Sequence, residues 1–136
     1  MAKNPAYLQS EAQLITNQIL HLGLILQGNE LTDSAFEGNP LLAFSAEQTS
    51  INRAEATLPS GSYNSTLNAW ELPTTAQFQF SNGPSLVSVA QCFFVKQGSQ
   101  IPGNNLGTIV YLHTFPSPIA LAANQTVILK TPWRWE

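Results

Sequence analysis

The sequence predicts an all-β protein: an antiparallel β-sandwich, immunoglobulin-like or jelly-roll-like, of six to eight strands, with an N-terminal arm or short helix. Three observations predict it. Short segments alternate apolar and polar residues with a period of two, turn residues interrupt them about every 8 to 12 residues, and helical patterns do not separate the strands. The 136 residues suit a single domain. We expect an arm or helix over residues 1–19 and the sandwich over residues 20–136.

The N-terminal segment has the period of a helix. Asn4 followed by Pro5 is a favourable cap and first helical position. Apolar residues then recur every three or four positions, at Leu8, Ala12 and Ile15. This pattern predicts a helix or ordered arm from Pro5 to about Ile19.

From Ile19 onward the apolar period changes to two. Residues 19–26 predict a strand that is buried on one or both faces, and residues 29–50 predict a long loop with a turn at Gly38-Asn39-Pro40. Further predicted strands are Arg53–Leu58, Ala76–Phe80, Leu86–Val95, Gly107–Phe115 and Thr126–Leu129. We expect Pro116-Ser117-Pro118 to end the strand before it. Whether the last strand continues through Trp133 and Trp135 is left open by the pattern.

Turns complete this organisation. Residues 101–105 contain Pro102, Gly103 and two asparagines, and predict a loop. Asn124 precedes the last predicted strand, where we expect a turn that uses the tolerance of asparagine for left-handed backbone angles.

The composition limits the classes of partner. Only 10% of the residues are charged, against about a quarter in typical domains, and the net charge is −3. The five basic residues are scattered, so they form no stripe that could follow a nucleic-acid backbone. A surface with few charges can be covered by other chains without leaving charges unpaired. We therefore expect protein partners and no nucleic acid.

The sequence also indicates the compartment in which the protein is made. The single cysteine, Cys92, lies in an apolar run and predicts a buried, inert thiol. The first residues lack the long apolar stretch of a signal peptide, and the run Ile19–Leu26 is too short to cross a bilayer. We expect synthesis in a cytoplasm and no membrane contact.

Residues suited to catalysis or metal binding form no familiar pattern. The only aspartate, Asp33, lies in a predicted loop, and no nucleophile-elbow sequence accompanies it. His21 and His113 could contribute two ligands to a metal site, but no further His or Cys stands at ligand spacing to either, so a histidine with one hydrogen bond is the favoured interpretation. The scattered carboxylates have no spacing that favours a glycosidase pair or a calcium site. We expect no enzyme activity, no cofactor and no metal.

The C-terminal segment predicts either an interface or the closure of the core. An extended backbone would place Trp133 and Trp135 on one face and Arg134 on the other. Tryptophan and arginine are common anchors of protein interfaces. Together with Tyr7 and Leu8 of the arm, these residues are the candidate interface.

The order of segments over residues 20–130 resembles the small β-sandwich virion proteins of tailed bacteriophages. The resemblance lies in layout and turn chemistry. It rests on His21–Leu26, Asn68-Ala69-Trp70, Ala76–Phe80, Val89–Val95, Gly107–Tyr111 and the turn-and-strand segment Pro118–Val127. Such proteins act as capsid decoration or cement, or as parts of the tail. The family has no catalytic residues to carry over.

The resemblance implies a non-enzymatic structural protein of the virion, made in the host cytoplasm. The expected function is a cement or decoration subunit that contacts copies of itself, as a trimer for example, and the major capsid protein. An alternative is a tail or fibre module whose exposed aromatics Trp70, Tyr63 and Tyr111 bind receptor glycans. A small hydrolase that uses His21 or His113 as a base is the third hypothesis.

Overall fold

The computed structural model describes residues 2–72, 77–130 and 134–135; the side chain of Trp135 is not among the described atoms. The described chain is mostly β-strand with antiparallel pairing, as the sequence predicts, and it also contains a few short helices. Its elements are α1 (Pro5–Gln13), β1 (Ile19–Leu26), α2 (Asp33–Gly38), α3 (Leu42–Ala46), β2 (Ala54–Thr57), β3 (Ser62–Asn64), β4 (Ala69–Glu71), β5 (Gln77–Ser81), β6 (Val87–Lys96), β7 (Thr108–Leu121), β8 (Thr126–Lys130) and β9 (Arg134–Trp135).

Three antiparallel sheets form in the described residues. The main sheet has the strand order β2-β1-β6-β7, the terminal sheet has the order β3-β4-β9, and β5 pairs with β8 in a two-stranded sheet. In the main sheet, Leu22 of β1 lies opposite Phe94 of β6. The two-stranded sheet pairs Phe78 with Leu129. Both of these pairings join residues that are more than 50 positions apart in the sequence, so the two sheets depend on tertiary packing.

The main sheet is covered on both faces. On one face, the larger core combines side chains of β1, β6, β5 and α1, including an edge-to-face contact of Phe78 and Phe94 with ring centroids 5.6 Å apart. On the other face, the smaller core packs Phe93 and Val95 of β6 against Phe44 of α3. This two-sided burial explains why β1 and β6 are almost continuously apolar.

Helix α1 begins as predicted and ends early. The Asn4 side chain accepts a hydrogen bond from the Ala6 amide at 2.9 Å. The helix ends at Gln13 instead of about Ile19, because Asn17 adopts a left-handed backbone (φ 57°) and its amide donates to the Leu58 carbonyl. Those contacts turn the chain into β1, which starts where Ile19 pairs with Thr57.

Residues 29–50 contain two short helices where the sequence predicts only a loop. Thr32 caps α2 by accepting a hydrogen bond from the Ala35 amide at 3.1 Å. The predicted turn at Gly38-Asn39-Pro40 does separate α2 from α3. Helices of five and six residues have too few periodic positions to stand out in the sequence.

Strand β7 continues past the two prolines, so the prediction that Pro116 and Pro118 end it is wrong. The pairing jumps from Gln91 opposite Thr114 to Val89 opposite Ile119. One residue of β6 thus faces four residues of β7, which form a bulge at the outer strand of the main sheet. Prolines are tolerated at edges and bulges because no partner strand there needs their missing N–H.

The C-terminal strand belongs to a different sheet from β8. β9 pairs with β4, with Trp135 opposite Trp70, whereas β8 pairs with β5. The turn before β8 confirms the interpretation of Asn124, which has a left-handed backbone (φ 59°). The residues 131–133 that join the two strands, including Trp133, lie outside the described residues.

Candidate interface where the two ends of the chain meet

The terminal sheet brings the two ends of the chain together. Both α1 and β9 contact β4, and α1 also contacts β3 and β9. The sequence marks the two ends separately as interface candidates, and it contains no signal that they are neighbours. Because the two ends touch, we treat them as one surface, the terminal surface, which consists of the exposed parts of α1, β3, β4, β9 and the turn between β3 and β4.

A single asparagine fastens the start of the chain to this surface. Asn68 has a left-handed backbone (φ 49°) in the turn between β3 and β4. Its carbonyl oxygen accepts from the Lys3 amide at 3.0 Å, and its amide nitrogen donates to the Lys3 carbonyl at 3.1 Å and to the Tyr63 hydroxyl at 2.7 Å. These three bonds fix where α1 begins relative to the terminal sheet.

The two candidate residues of the arm have different environments. Tyr7 is 58% exposed, with the Lys3 ammonium 5.9 Å from the centroid of its ring. Leu8 is fully buried in the larger core, together with Ala12 and Ile15. Leu8 is therefore part of the chain's own core and is not accessible to a partner, because the side of α1 that carries it faces the sheets.

The C-terminal candidates are described in part. Arg134 is half exposed, and its Nε lies 3.3 Å from Oε1 of Glu71 on the neighbouring strand. The backbone of Trp135 pairs with Trp70. Trp133 and the side chain of Trp135 lie outside the described atoms. The described part of this segment thus places the Arg134 guanidinium in the terminal sheet, beside the Glu71 carboxylate.

The three aromatics considered for glycan binding do not form one platform. Tyr63 and Trp70 are opposite each other in the terminal sheet, and both pack against the larger core. The Trp70 indole donates to the Ser60 carbonyl at 2.9 Å, and the Tyr63 hydroxyl accepts from Asn68. Tyr111 lies on β7 in the main sheet. Two of the three rings therefore already have structural roles.

A second exposed feature is a groove beside the smaller core. It has a volume of about 580 Å³ and is lined by Leu41, Phe44 and Ser45 of the α3 region and by Gly103, Asn104 and Asn105. Leu41 at its rim is 61% exposed. The lining residues carry no charge, so the groove suits neutral or apolar groups.

A buried ion pair joins the two walls of the groove. The side chains of Arg53 and Glu47 are both 0% exposed. Arg53 Nε donates to Glu47 Oε2 at 2.8 Å, and Nη2 donates to Oε1 at 2.7 Å. The guanidinium carbon lies 5.4 Å from the ring centroid of Phe44 and 5.8 Å from that of Phe93. This geometry combines a bidentate salt bridge with contacts to two aromatic rings.

The same pair fixes the loop between β6 and β7. Arg53 also donates to the carbonyls of Ser99 at 3.0 Å and Asn104 at 2.8 Å, and the Gly103 amide donates to Glu47 Oε1 at 2.8 Å. All the charged oxygens and nitrogens named here have partners, as burial requires. The sequence gives no sign of this pair, because Glu47 and Arg53 lie six positions apart and no periodicity links them.

Two buried amides tie other irregular segments to the sheets. The Gln91 side chain, 1% exposed, accepts from the Leu31 amide at 2.9 Å and donates to the Leu31 carbonyl at 2.8 Å. The Asn82 amide nitrogen lies 2.8 to 3.0 Å from the carbonyls of Ser85, Leu121 and Ala122. These polar side chains are structural, since their hydrogen bonds go to groups of the same chain: backbone groups for both, and also Thr114 Oγ1 for Gln91.

The remaining candidates for chemistry are separated from one another. His21 is 7% exposed with its Nε2 3.3 Å from Glu55 Oε2, and its Nδ1 has no hydrogen-bond partner. His113 is exposed and packs edge-to-face on Phe115. In the described part of the chain, no three His, Cys, Asp or Glu side chains are grouped so that they could hold a metal ion.

The cysteine is buried as the sequence predicts. Cys92 is 2% exposed and belongs to the larger core. Burial raises the pKa of its thiol to about 12, because desolvation disfavours the thiolate. A neutral, inaccessible thiol is a poor nucleophile and a poor metal ligand.

No known protein family, curated protein or solved structure matches this chain. Across residues 2–72, 77–130 and 134–135, no helix has the length and apolar character needed to cross a membrane.

Proposed function

We propose that this chain is a non-enzymatic structural protein of a tailed-phage virion, most simply a cement or decoration subunit that contacts copies of itself and the major capsid protein. The observation that carries the proposal is the composition of the chain's surface, which has exposed apolar side chains and few charges. Ten large hydrophobic side chains are exposed among the described residues, while only 10% of all residues are charged. Exposed apolar side chains and scarce charge favour a surface that other chains cover.

We also propose that the antiparallel sheets pack as a β-sandwich of the immunoglobulin-like or jelly-roll-like kind. The support is the contact between the face of β1 and β6 and the aromatic side chains of β5. The short helices α2 and α3 cover the opposite face of the main sheet.

The terminal surface is the part of the exterior that we assign to assembly. It combines the exposed Tyr7 ring, the exposed Leu67 and the half-exposed Arg134, an aromatic, an aliphatic and a cationic group on neighbouring elements. Aromatic residues and arginine are enriched at interface cores and hot spots.

The test is reconstitution of particles. Virions of the phage that encodes the chain are analysed by mass spectrometry and imaging, and purified chain is added to particles assembled without it. Binding is measured by cosedimentation, and shell stability by the temperature at which DNA is released. We expect saturable binding and a higher release temperature. Absence of the chain from virions, together with no binding to the shells, would refute the proposal.

Two exposed substitutions locate the contact. Tyr7→Ser changes the terminal surface, and Leu41→Ser changes the rim of the groove, with similar exposed fractions of 58% and 61%. We expect the first to weaken shell binding and the second to leave it unchanged. The reverse result would move the contact to the groove.

The glycan-binding alternative receives less support, because the Trp70 indole is hydrogen-bonded to the Ser60 carbonyl and the Tyr63 hydroxyl to the Asn68 amide. A glycan array with the purified chain tests it directly, and specific binding there would favour a tail or fibre module.

A further inference from the structure

The connection between β5 and β6 contains the only Asn-Gly pair of the sequence, Asn82-Gly83. An asparagine before a glycine is prone to deamidation, because glycine has no side chain to obstruct the attack of its own amide nitrogen. In this reaction Gly83 N bonds to Cγ of Asn82 as the Cγ–Nδ2 bond breaks. The side-chain NH2 takes the proton of Gly83 N and leaves as ammonia, and water then opens the cyclic imide to aspartate or isoaspartate.

The folded chain holds the nitrogen that would leave. Asn82 is 8% exposed. Its Nδ2 lies 2.8 Å from the carbonyl oxygen of Ser85, and 3.0 and 2.9 Å from those of Leu121 and Ala122 at the end of β7. Closing the imide ring would take this nitrogen away from all three carbonyls, so the fold opposes the reaction.

The backbone on both sides of the reacting bond is also restrained. The Asn82 amide donates to the Gln125 carbonyl at 2.8 Å, and the Gly83 carbonyl accepts from the Asn124 amide at 2.8 Å. An imide ring imposes its own geometry on the backbone between residues 82 and 83, and these two bonds resist that change. Deamidation should therefore proceed from a state in which this segment has opened.

We propose that Asn82 is a modification site: it deamidates when the segment opens, and the products prevent the chain from returning to its native fold. The fold thus protects a side chain on which the fold itself depends. The reaction needs only this chain and water, so it does not depend on the proposed function.

Aspartate at position 82 cannot replace the amide. The NH2 group of asparagine has two donor hydrogens, whereas an ionised carboxylate only accepts. Its oxygens would face the carbonyl oxygens that now lie around Nδ2, and the contact to the Leu121 carbonyl is buried. The carboxylate would be repelled, and a buried carbonyl would lose its donor.

Isoaspartate changes the backbone itself, because it inserts an extra methylene into the main chain between residues 82 and 83. The bonds to Gln125 and Asn124 are made on either side of this point, so both could not keep their geometry. They join the β5–β6 connection to the β7–β8 turn, at the end of the fold where β5 pairs with β8 and β6 pairs with β7. Either product therefore loosens the junction between the main sheet and the two-stranded sheet.

The rates of deamidation in the folded and the unfolded chain test the protection. Purified chain is incubated at pH 8 in buffer and in urea, and conversion of the peptide that contains residue 82 is followed by mass spectrometry. The rate in buffer is the rate of the open chain multiplied by the open fraction, so we expect it to be at least tenfold lower than in urea. A smaller difference, or no conversion in urea, would overturn the proposal.

Gly83→Ala is the matched variant, because it changes the reacting pair and leaves the hydrogen bonds of Asn82 in place. A Cβ at position 83 meets nothing within 4 Å, and the φ of Gly83 is not positive. We expect an unchanged urea midpoint and several-fold slower conversion in urea, since the added methyl group obstructs the attacking nitrogen. Conversion in urea at the wild-type rate would contradict the assignment of the reaction to this pair.

Refolding of aged chains tests the consequence. Wild type and Gly83→Ala are held in urea for the same time and diluted into buffer, and the native fraction is measured by circular dichroism and tryptophan fluorescence. We expect the native fraction of wild type to fall in step with conversion at residue 82, and that of the variant to stay higher. Converted chains that refold as completely as unconverted ones would overturn the proposal.

Asn82→Asp reproduces one of the products directly. It should raise the unfolded fraction at a given urea concentration at least tenfold, because a buried carbonyl loses its donor. Asn105→Asp adds the same charge at an exposed asparagine and should unfold like wild type. If Asn82→Asp does not fold, the aged wild-type chain provides the comparison. Equal unfolding of the two variants would contradict the proposal.

Discussion

Removing the buried guanidinium is expected to destabilise the chain strongly. In Arg53→Met, Glu47 loses both bonds of the salt bridge and keeps the Gly103 amide as its described donor, while two loop carbonyls lose their partner. Breaking a fully buried pair in this way costs about 3–5 kcal/mol. Since small domains are stable by about 5–15 kcal/mol in total, the loss is a large fraction of the free energy of unfolding.

The measurement is urea unfolding at pH 7, followed by tryptophan fluorescence and circular dichroism. The matched control is Lys3→Met, which removes the solvent-accessible, partly exposed ion pair of Lys3 Nζ and Glu11 Oε1 at 3.4 Å. Exposed pairs contribute about 0–1 kcal/mol, so the control should unfold close to wild type. A loss below about 1 kcal/mol for Arg53→Met would refute the claim that the pair fixes the loop between β6 and β7.

A double variant separates the effect of the uncompensated Glu47 charge from the effect of losing the Arg53 side chain. Glu47→Gln combined with Arg53→Met removes the uncompensated carboxylate and keeps an acceptor for the Gly103 amide. We expect the double variant to be more stable than Arg53→Met alone, with a coupling energy of about 1–3 kcal/mol between the two positions. Simple addition of the two single effects would mean that the two side chains act independently.

Three other predictions follow from burial. Leu8→Ala should lower the free energy of unfolding by about 2–5 kcal/mol, since the side chain is fully buried. The control Tyr7→Ser, at an exposed position, should change it by less than about 0.5 kcal/mol. Equal urea midpoints for the two variants would show that the arm is not part of the core. Gly23→Ala should lower the free energy of unfolding by about 1–3 kcal/mol, because the added methyl group would overlap the buried ring of Phe93. In the control Gly38→Ala the methyl group points into open space, so the free energy of unfolding should not change. An equal effect of the two substitutions would contradict the packing around Gly23. Native Cys92 should react with a thiol reagent at pH 8 only after unfolding, and reaction of the folded chain at the unfolded rate would refute its burial. Because burial raises the pKa of this thiol from 9.0 to about 12, the unfolded chain loses the proton first, so its contribution should lower stability as the pH rises from about 9 to 12.

Alternation of apolar residues predicted the long strands well. The segments that became β1, β2, β5, β6 and β8 were located to within one residue at each end, because a strand that packs on a core is an alternating or a continuous apolar run between turn residues. Two-sided burial of β1 was left open by the sequence, since a continuous apolar run fits either one face or two.

The short elements and the polar interior could not be predicted in this way. β3 and β4 have three residues each, and α3 has five, which is too few to establish a period. The Arg53–Glu47 pair and the Leu31–Gln91 bonds depend on distances between segments that only the tertiary fold brings together. The meeting of the chain's two ends at β4 has the same origin.

The side-chain amide of Gln91 helps to determine the register of β6 in the main sheet. β6 is apolar toward both cores, so hydrophobic burial alone hardly distinguishes its two possible orientations, in which every side chain exchanges faces. A slip of one residue would turn the Gln91 amide into the larger core and leave the N–H and C=O of Leu31 without their partner. Losing these bonds costs about 1–3 kcal/mol for each buried group left unsatisfied. One glutamine thus selects the correct alignment of a strand whose other residues tolerate two.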